Sequence, residues 1–284
     1  MKAIIPVAGI GSRLRPHTHT QPKALVPVAG KPILGHIIDS LSEVGIKDFI
    51  FVIGYLGDKI QSYITEKYPH LNHEFVVQAQ KEGIGHAIWT AKDLIQPTDE
   101  ILIVLGDTIF DVDLASVLDL PCSAVGVRKV EDPSNFGVVE SDDDGYITHL
   151  VEKPTIPKSN MAMVGLYKIK EASALMNALD YNIQHDIRTY NEFQLTDGLM
   201  HMIEQGSKIK TFKVEDWYDC GRKEVLLSTN AMLLSREKNP VTTFDFPNYL
   251  VTNNDYEIEE KTNTISYEIL TGISQRVKRI FYKN

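Results

Sequence analysis

Residues 101–105 (ILIVL) are five consecutive apolar positions that run straight into Gly106-Asp107. A strand with one face in water alternates polar and apolar side chains. An unbroken short run is instead the mark of a strand covered on both faces, as in a parallel sheet between helical layers. The first half of the chain has the matching alternation. Residues 2–9 (KAIIPVAG) predict a strand that ends in the glycine loop Gly9-Ile10-Gly11-Ser12. A helix is expected after Pro32, with Ile33, Leu34, Ile37, Ile38, Leu41 and Val44 on one stripe and Gly45 closing it. Residues 48–54 and 74–78 predict strands, and residues 56–68 and 86–95 helices. Strands alternating with helices imply βαβ units joined by right-handed crossovers, so an α/β fold is expected.

Beyond residue 123 the strand candidates crowd together, at 123–130, 136–140, 146–151 and 163–169. Helices are expected at 170–183, 192–205 and 221–238, with a strand at 208–214. Residues 1–238 therefore read as one mixed domain and 239–284 as a separate C-terminal tail without a hexapeptide repeat. In that tail Leu270, Ile273, Val277, Ile280 and Phe281 alternate with Arg276, Lys278 and Arg279, a pattern for an amphipathic helix packed on the domain or on another subunit. At 284 residues and 43% hydrophobic content, a sizeable core is available.

Charge and cysteine content narrow the function. A net charge of −9 argues against a general binder of nucleic acid or anionic membrane. Two cysteines, Cys122 and Cys220, give neither a disulfide framework nor a metal spacing, no secretory leader or membrane-length apolar run is evident, and a cytoplasmic setting is expected. The acidity is unevenly spread. Positions 1–38 contain no Asp or Glu but five cations, Lys2, Arg13, Arg15, Lys23 and Lys31, while the remainder carries all 38 acids. An acidic chain with one cationic, glycine-bearing segment suits a small anion.

Glycines at 9 and 11 let successive backbone N–H groups face a ligand, and such a nest beside cations binds phosphate. By itself Gly-x-Gly would equally suit a plain turn. A third glycine at dinucleotide-fingerprint spacing is missing, and Gly30-Lys31 is followed by Pro32 and not by Ser or Thr, so neither common nucleotide motif applies. Asp107 ends the buried run where an open α/β sheet places its ligand crevice, or else caps the next turn. Asp111-Val112-Asp113 imitates a metal motif but is assigned to a turn and helix start before Leu114.

The whole string GIGSRLRPHTHTQPKALVPVAGKPIL, residues 9–34, resembles the signature of the sugar-1-phosphate nucleotidyltransferases, the NDP-sugar pyrophosphorylases. The resemblance continues in order through Leu105-Gly106-Asp107, Phe136-Gly137-Val138-Val139, Val151-Glu152-Lys153-Pro154, Val164-Gly165-Leu166-Tyr167, EFQLTDG at 192–198 and Trp217-Tyr218-Asp219-Cys220-Gly221. It implies a Rossmann-like, mixed and mainly parallel sheet flanked by helices, of the nucleotide-diphospho-sugar transferase type. The implied reaction joins a sugar 1-phosphate, with glucose 1-phosphate foremost, to dTTP or UTP with release of pyrophosphate, in the service of polysaccharide biosynthesis.

The same resemblance assigns roles. Ala8, Gly9, Gly11, Ser12 and Arg13 would bind the nucleotide, with Gln78 reading the pyrimidine edge and Gly83 beneath the base; Gln80 is a nearby rival. Arg13, Lys23 and Asp107 would be catalytic. Asp107 and Asp219 would hold Mg²⁺. Gly137, Glu152, Lys153, Val164 and Gly165 would take the sugar phosphate, although Glu152-Lys153 could also be an ordinary surface ion pair. His17, His19 and His86 are left as loop or helix-start residues. The substrates are the implied partners, within a homo-oligomer. Two alternatives stand beside this reading, a phosphocholine cytidylyltransferase and a non-catalytic sugar-nucleotide-binding subunit.

Overall fold

The computed structural model describes residues 1–236. The predicted tail at 239–284 lies outside the described residues. The chain opens with β1 (Lys2–Pro6), the glycine loop, a hairpin of β2 (Pro27–Val28) and β3 (Lys31–Pro32), and helix α1 (Ile33–Glu43). There follow β4 (Asp48–Ile53), α2 (Gly57–Lys67), β5 (Asn72–Val77), α3 (Ile84–Trp89) and β6 (Ile101–Val104). The second half contains β7 (Thr108–Asp111), α4 (Leu114–Leu118), β8 (Ser123–Lys129), β9 (Gly137–Ser141), β10 (Ile147–Glu152) and β11 (Met161–Ile169). It closes with α5 (Ala172–Gln184), α6 (Leu195–Glu204), β12 (Ile209–Lys213), β13 (Asp216–Asp219) and α7 (Lys223–Arg236).

The main sheet runs β10-β9-β11-β6-β1-β4-β5, with β8 joined to β11 and β12 joined to β8. Its β6-β1-β4-β5 side is parallel, and β11 enters antiparallel against β6. The unbroken apolar run has the expected cause. Ala3, Ile5, Phe49, Phe51, Leu102 and Val104 point into one core with α1 and α2. Ile4, Ile50, Val52, Ile101 and Ile103 point into the other, with α3, α5 and α6. Each strand is thus buried on both faces. Ile103 has no exposed surface, and Ile103→Ala is expected to cost about 2–5 kcal/mol of unfolding free energy, measurable by urea titration.

The structure corrects several expected boundaries. β1 stops at Pro6, so Val7 to Gly9 already belong to the glycine loop. The expected helix at 86–95 breaks after Trp89 into a single tight turn, Lys92–Leu94. The helix expected from 192 starts at Leu195. Residues before it form a turn with Tyr190 and Asn191 at positive φ, and Phe193 pairs with the Glu82–Gly85 loop instead. The ribbon of β7 with β13 has no counterpart among the expected strands, because four-residue strands with charged ends carry no alternation signal. Asp113 caps α4 by accepting from Ser116 N–H, as the helix start expected before Leu114 requires, whereas Asp111 ends strand β7 opposite Asp216 and not a turn.

Candidate active site

The glycine loop leaves β1 between two fixed points. Gly11 has φ +67°, and Thr18 Oγ donates to its carbonyl oxygen at 2.8 Å. A side chain there would begin 2.8 Å from Lys23 Cβ, so both conformation and space require glycine. The next turn, Ser12–Leu14, buries Leu14 and thereby leaves Ser12 and Arg13 exposed at the loop's crest. A second turn, Lys23–Leu25, buries Ala24 and Leu25 and turns Lys23 inward. The result is a cleft of about 430 Å³ lined by Ala8, Gly9, Gly11, Ser12, Arg13, Lys23, Gln78, Gly83 and Asp107. Gln78, and not Gln80, is on its wall; Arg15 is off it.

A smaller recess of about 140 Å³ adjoins the cleft, and Asp107, Ile84 and Leu105 line both. Gly137, Glu152, Lys153, Val164, Gly165 and Asp219 line this recess. Glu152 Oε2 accepts from Thr196 Oγ at 2.7 Å, which fixes one carboxylate oxygen and leaves Oε1, 3.2 Å from Lys153 Nζ. Lys153 sits at φ +42°, held by its N–H donating to Phe136 O at 3.0 Å and its carbonyl accepting from Tyr190 OH at 2.7 Å. Gly165 at φ +81° lets the strand approach Leu105, whose side chain a Cβ would meet at 2.9 Å. Burial, with the charges of Glu152 and Asp107 adding, pushes the Tyr167 phenol up, so it remains a neutral hydroxyl on the recess wall.

The acidic centre is assembled from both halves of the chain. β6 delivers Leu105-Gly106-Asp107, and the β7–β13 ribbon sets Asp219 opposite Thr108. Cys220 N–H donates to Asp107 O at 2.9 Å, and Gly221 N–H donates to Asp219 Oδ1 at 2.9 Å. Lys23 Nζ forms an ion pair with Asp107. It also lies 2.7 Å from where a Gly221 Cβ would be, as does Asp219 Oδ1. One ammonium and two carboxylates therefore meet where the two cavities join. Among the described residues no three His, Cys, Asp or Glu side chains form a metal-holding group. Two carboxylates beside an open cleft lined by Arg13 and Lys23 nonetheless fit a hard divalent cation that takes its other ligands from phosphate oxygens and water. Burial pushes the Cys220 thiol up to about 12, so it offers no thiolate here.

Several lining residues escaped the sequence reading. Lys81 and Glu192 flank the larger cleft, and Gln194, Thr196, Tyr167 and Trp217 the smaller recess. Those in the recess lie within or beside the quoted motifs VGLY, EFQLTDG and WYDCG, which marked the segments but not the side chains. Lys81 has no such signal. His86, treated as a helix-start residue, also contacts Gln78 at 3.1 Å.

The family model of the nucleotidyl transferases matches residues 2–236. The chain is 39% identical over 238 residues to the bifunctional protein GlmU of Methanocaldococcus jannaschii, covering 83% of this chain and 55% of that protein. It is 31% identical over 226 residues to the UTP–glucose-1-phosphate uridylyltransferase AglF of Haloferax volcanii, covering 76% of this chain and 89% of that protein. A solved UDP-glucose pyrophosphorylase complexed with UDP-glucose superposes with a TM-score of 0.71 at 25% identity, over 83% of this chain and 99% of that one. The chain thus spans about half the length of the GlmU relative, 55%, and nearly all of the other two. Among the described residues no helix is long and apolar enough to cross a membrane. With the family model matched over most of its length and these relatives beside it, the chain belongs to the nucleotidyl transferase family.

Proposed function

We propose that the protein transfers a nucleotidyl group from UTP or dTTP to a sugar 1-phosphate, with glucose 1-phosphate the first candidate, giving an NDP-sugar and pyrophosphate. The observation that carries this reading is the shared wall: a cleft lined by Gly9, Gly11, Arg13 and Lys23 and a recess lined by Glu152 and Lys153 meet at Asp107. That arrangement suits two phosphate-bearing substrates whose reacting atoms must be adjacent. Relatives named for uridylyl transfer and for thymidylyl transfer both match the chain, which supports a pyrimidine triphosphate, UTP or dTTP.

In this reading the triphosphate lies along Ala8, Gly9, Gly11 and Ser12, and Gln78 and Gly83 hold its pyrimidine. Arg13 grips the β- and γ-phosphates through its planar fork. Lys153 binds the sugar phosphate while Glu152, oriented by Thr196, accepts from sugar hydroxyls; Gly137, Val164 and Gly165 give the ring its floor. A sugar phosphate oxygen attacks the α-phosphorus, the bond to the bridging oxygen breaks, and pyrophosphate carries away the electron pair. Lys23 neutralises charge that builds on the α-phosphate oxygens. Asp107 and Asp219 would hold Mg²⁺, which when bound supplies further neutralisation of the phosphates.

The proposal also includes a catalytic unit of residues 1–238 with an associated tail, a homo-oligomer, and a cytoplasmic role in polysaccharide biosynthesis. A panel of UTP, dTTP, CTP and ATP against sugar 1-phosphates and phosphocholine, read as kcat/KM for pyrophosphate release, tests the substrate assignment. Highest efficiency with UTP or dTTP and a hexose 1-phosphate is expected. Highest efficiency with CTP and phosphocholine would establish the cytidylyltransferase alternative, and no release from any pair the non-catalytic one.

A further inference from the structure

We infer that His86 is a positioning residue for base selection: its Nδ1 locks the Gln78 amide so that the amide oxygen, and not the NH₂ group, is offered to the nucleobase. The inference rests on the assignment of the larger cleft to a pyrimidine nucleoside triphosphate.

Gln78 is 7% exposed and lines the cleft. Its Nε2 lies 3.0 Å from Gly83 O and 3.1 Å from His86 Nδ1. An amide nitrogen carries two hydrogens, and these two acceptors take both. Only Oε1 remains for a ligand, and it can only accept. Turning the amide over would set Oε1 against the Gly83 carbonyl oxygen and against the Nδ1 lone pair, two repulsive contacts in a buried place.

The lock requires a neutral imidazole with its proton on Nε2. That nitrogen faces Glu82 Oε2 at 3.4 Å, an acceptor that selects this tautomer. Burial is the main cause that lowers the His86 pKa; the Glu82 charge opposes it and the Arg188 charge reinforces it. The ring itself is held between Trp89 and Phe193, with centroids 5.7 and 6.4 Å away. Arg188 stacks over Phe193 at 3.8 Å and donates to Glu82 Oε1 at 3.0 Å, which braces the far side. Uracil and thymine present N3–H as a donor between two carbonyls, whereas cytosine presents a bare N3. A fixed acceptor at this edge therefore favours uracil and thymine, and an amide free to turn would accept either kind of base.

The test compares wild type with His86→Phe, which keeps a ring between Trp89 and Phe193 but offers no acceptor, and His86→Asn, whose amide oxygen can take the place of Nδ1. UTP and CTP affinities are measured by titration calorimetry, alongside kcat and KM for pyrophosphate release with glucose 1-phosphate. In His86→Phe the preference for UTP over CTP is expected to shrink about tenfold, with kcat for UTP within about threefold of wild type. His86→Asn is expected to recover most of the preference. An unchanged preference in His86→Phe overturns the inference. So does an equal loss in both variants together with a fall in kcat, which marks a merely structural role. A wild type that prefers UTP in calorimetry but releases no pyrophosphate defeats the catalytic reading alone, and the affinities of the two variants still decide on His86. A wild type that binds neither nucleotide overturns both.

Discussion

The Asp107→Asn protein is expected to fold normally and to turn over about 10³-fold more slowly than wild type, with Asp219→Asn losing a comparable factor. The substitution keeps the side chain's shape and removes its charge. The backbone link that ties the two halves together at this point, from Cys220 N–H to Asp107 O, does not involve the side chain, and an Asn at 219 can still accept from Gly221 N–H. Folding therefore has little reason to fail, as matching thermal transitions would verify. What changes is the acidic centre: one carboxylate is left where two carboxylates and Lys23 met. Single-turnover rates at saturating substrate separate this loss from weaker binding. A variant within tenfold of wild type would show that the metal and the reacting phosphate are held elsewhere.

Lys23→Met should lower kcat by about 10²–10³ while moving the KM for the triphosphate only a few-fold. Methionine keeps the length and apolar stem of lysine, so the turn that buries Ala24 and Leu25 is undisturbed. The ion pair with Asp107 is itself a weak contributor to stability, because Asp107 is 29% exposed and solvent screens it. The ammonium's contribution is to charge that grows as the bond to pyrophosphate breaks, and an interaction that strengthens only then appears in kcat. A large rise in KM at unchanged kcat would instead make Lys23 a ground-state phosphate anchor.

How much of this was legible beforehand follows from the kind of signal each part carries. Burial on both faces of β6 shows in ILIVL because five apolar side chains leave no polar face to expose. The glycine loop shows because positive φ at Gly11 and the close approach of Lys23 both demand glycine. The β7–β13 ribbon did not show, since its pairing joins residues about a hundred positions apart and its ends are aspartates that read as turns. It is nevertheless what brings Asp219 to Asp107. The turn before α6 reads as helix in the sequence because the hydrophobic spacing continues through Phe193. That residue's backbone is committed to Glu82 and Gly85 across the molecule, a tertiary contact that overrides local preference. His86 carries no signal in the sequence for a related reason. A histidine at a helix start has no distinguishing pattern until β5 is seen to end beside it.

The most direct test of the central claim, that the two cavities hold a triphosphate and a sugar phosphate in line at Asp107, is the fate of a phosphorus label. UTP labelled at the α-phosphorus is incubated with glucose 1-phosphate, Mg²⁺ and the full chain. The account predicts that the label passes into a sugar nucleotide, one for each unlabelled pyrophosphate released, and only when both substrates are present. Label recovered in free UMP, or pyrophosphate formed without the sugar phosphate, would contradict it.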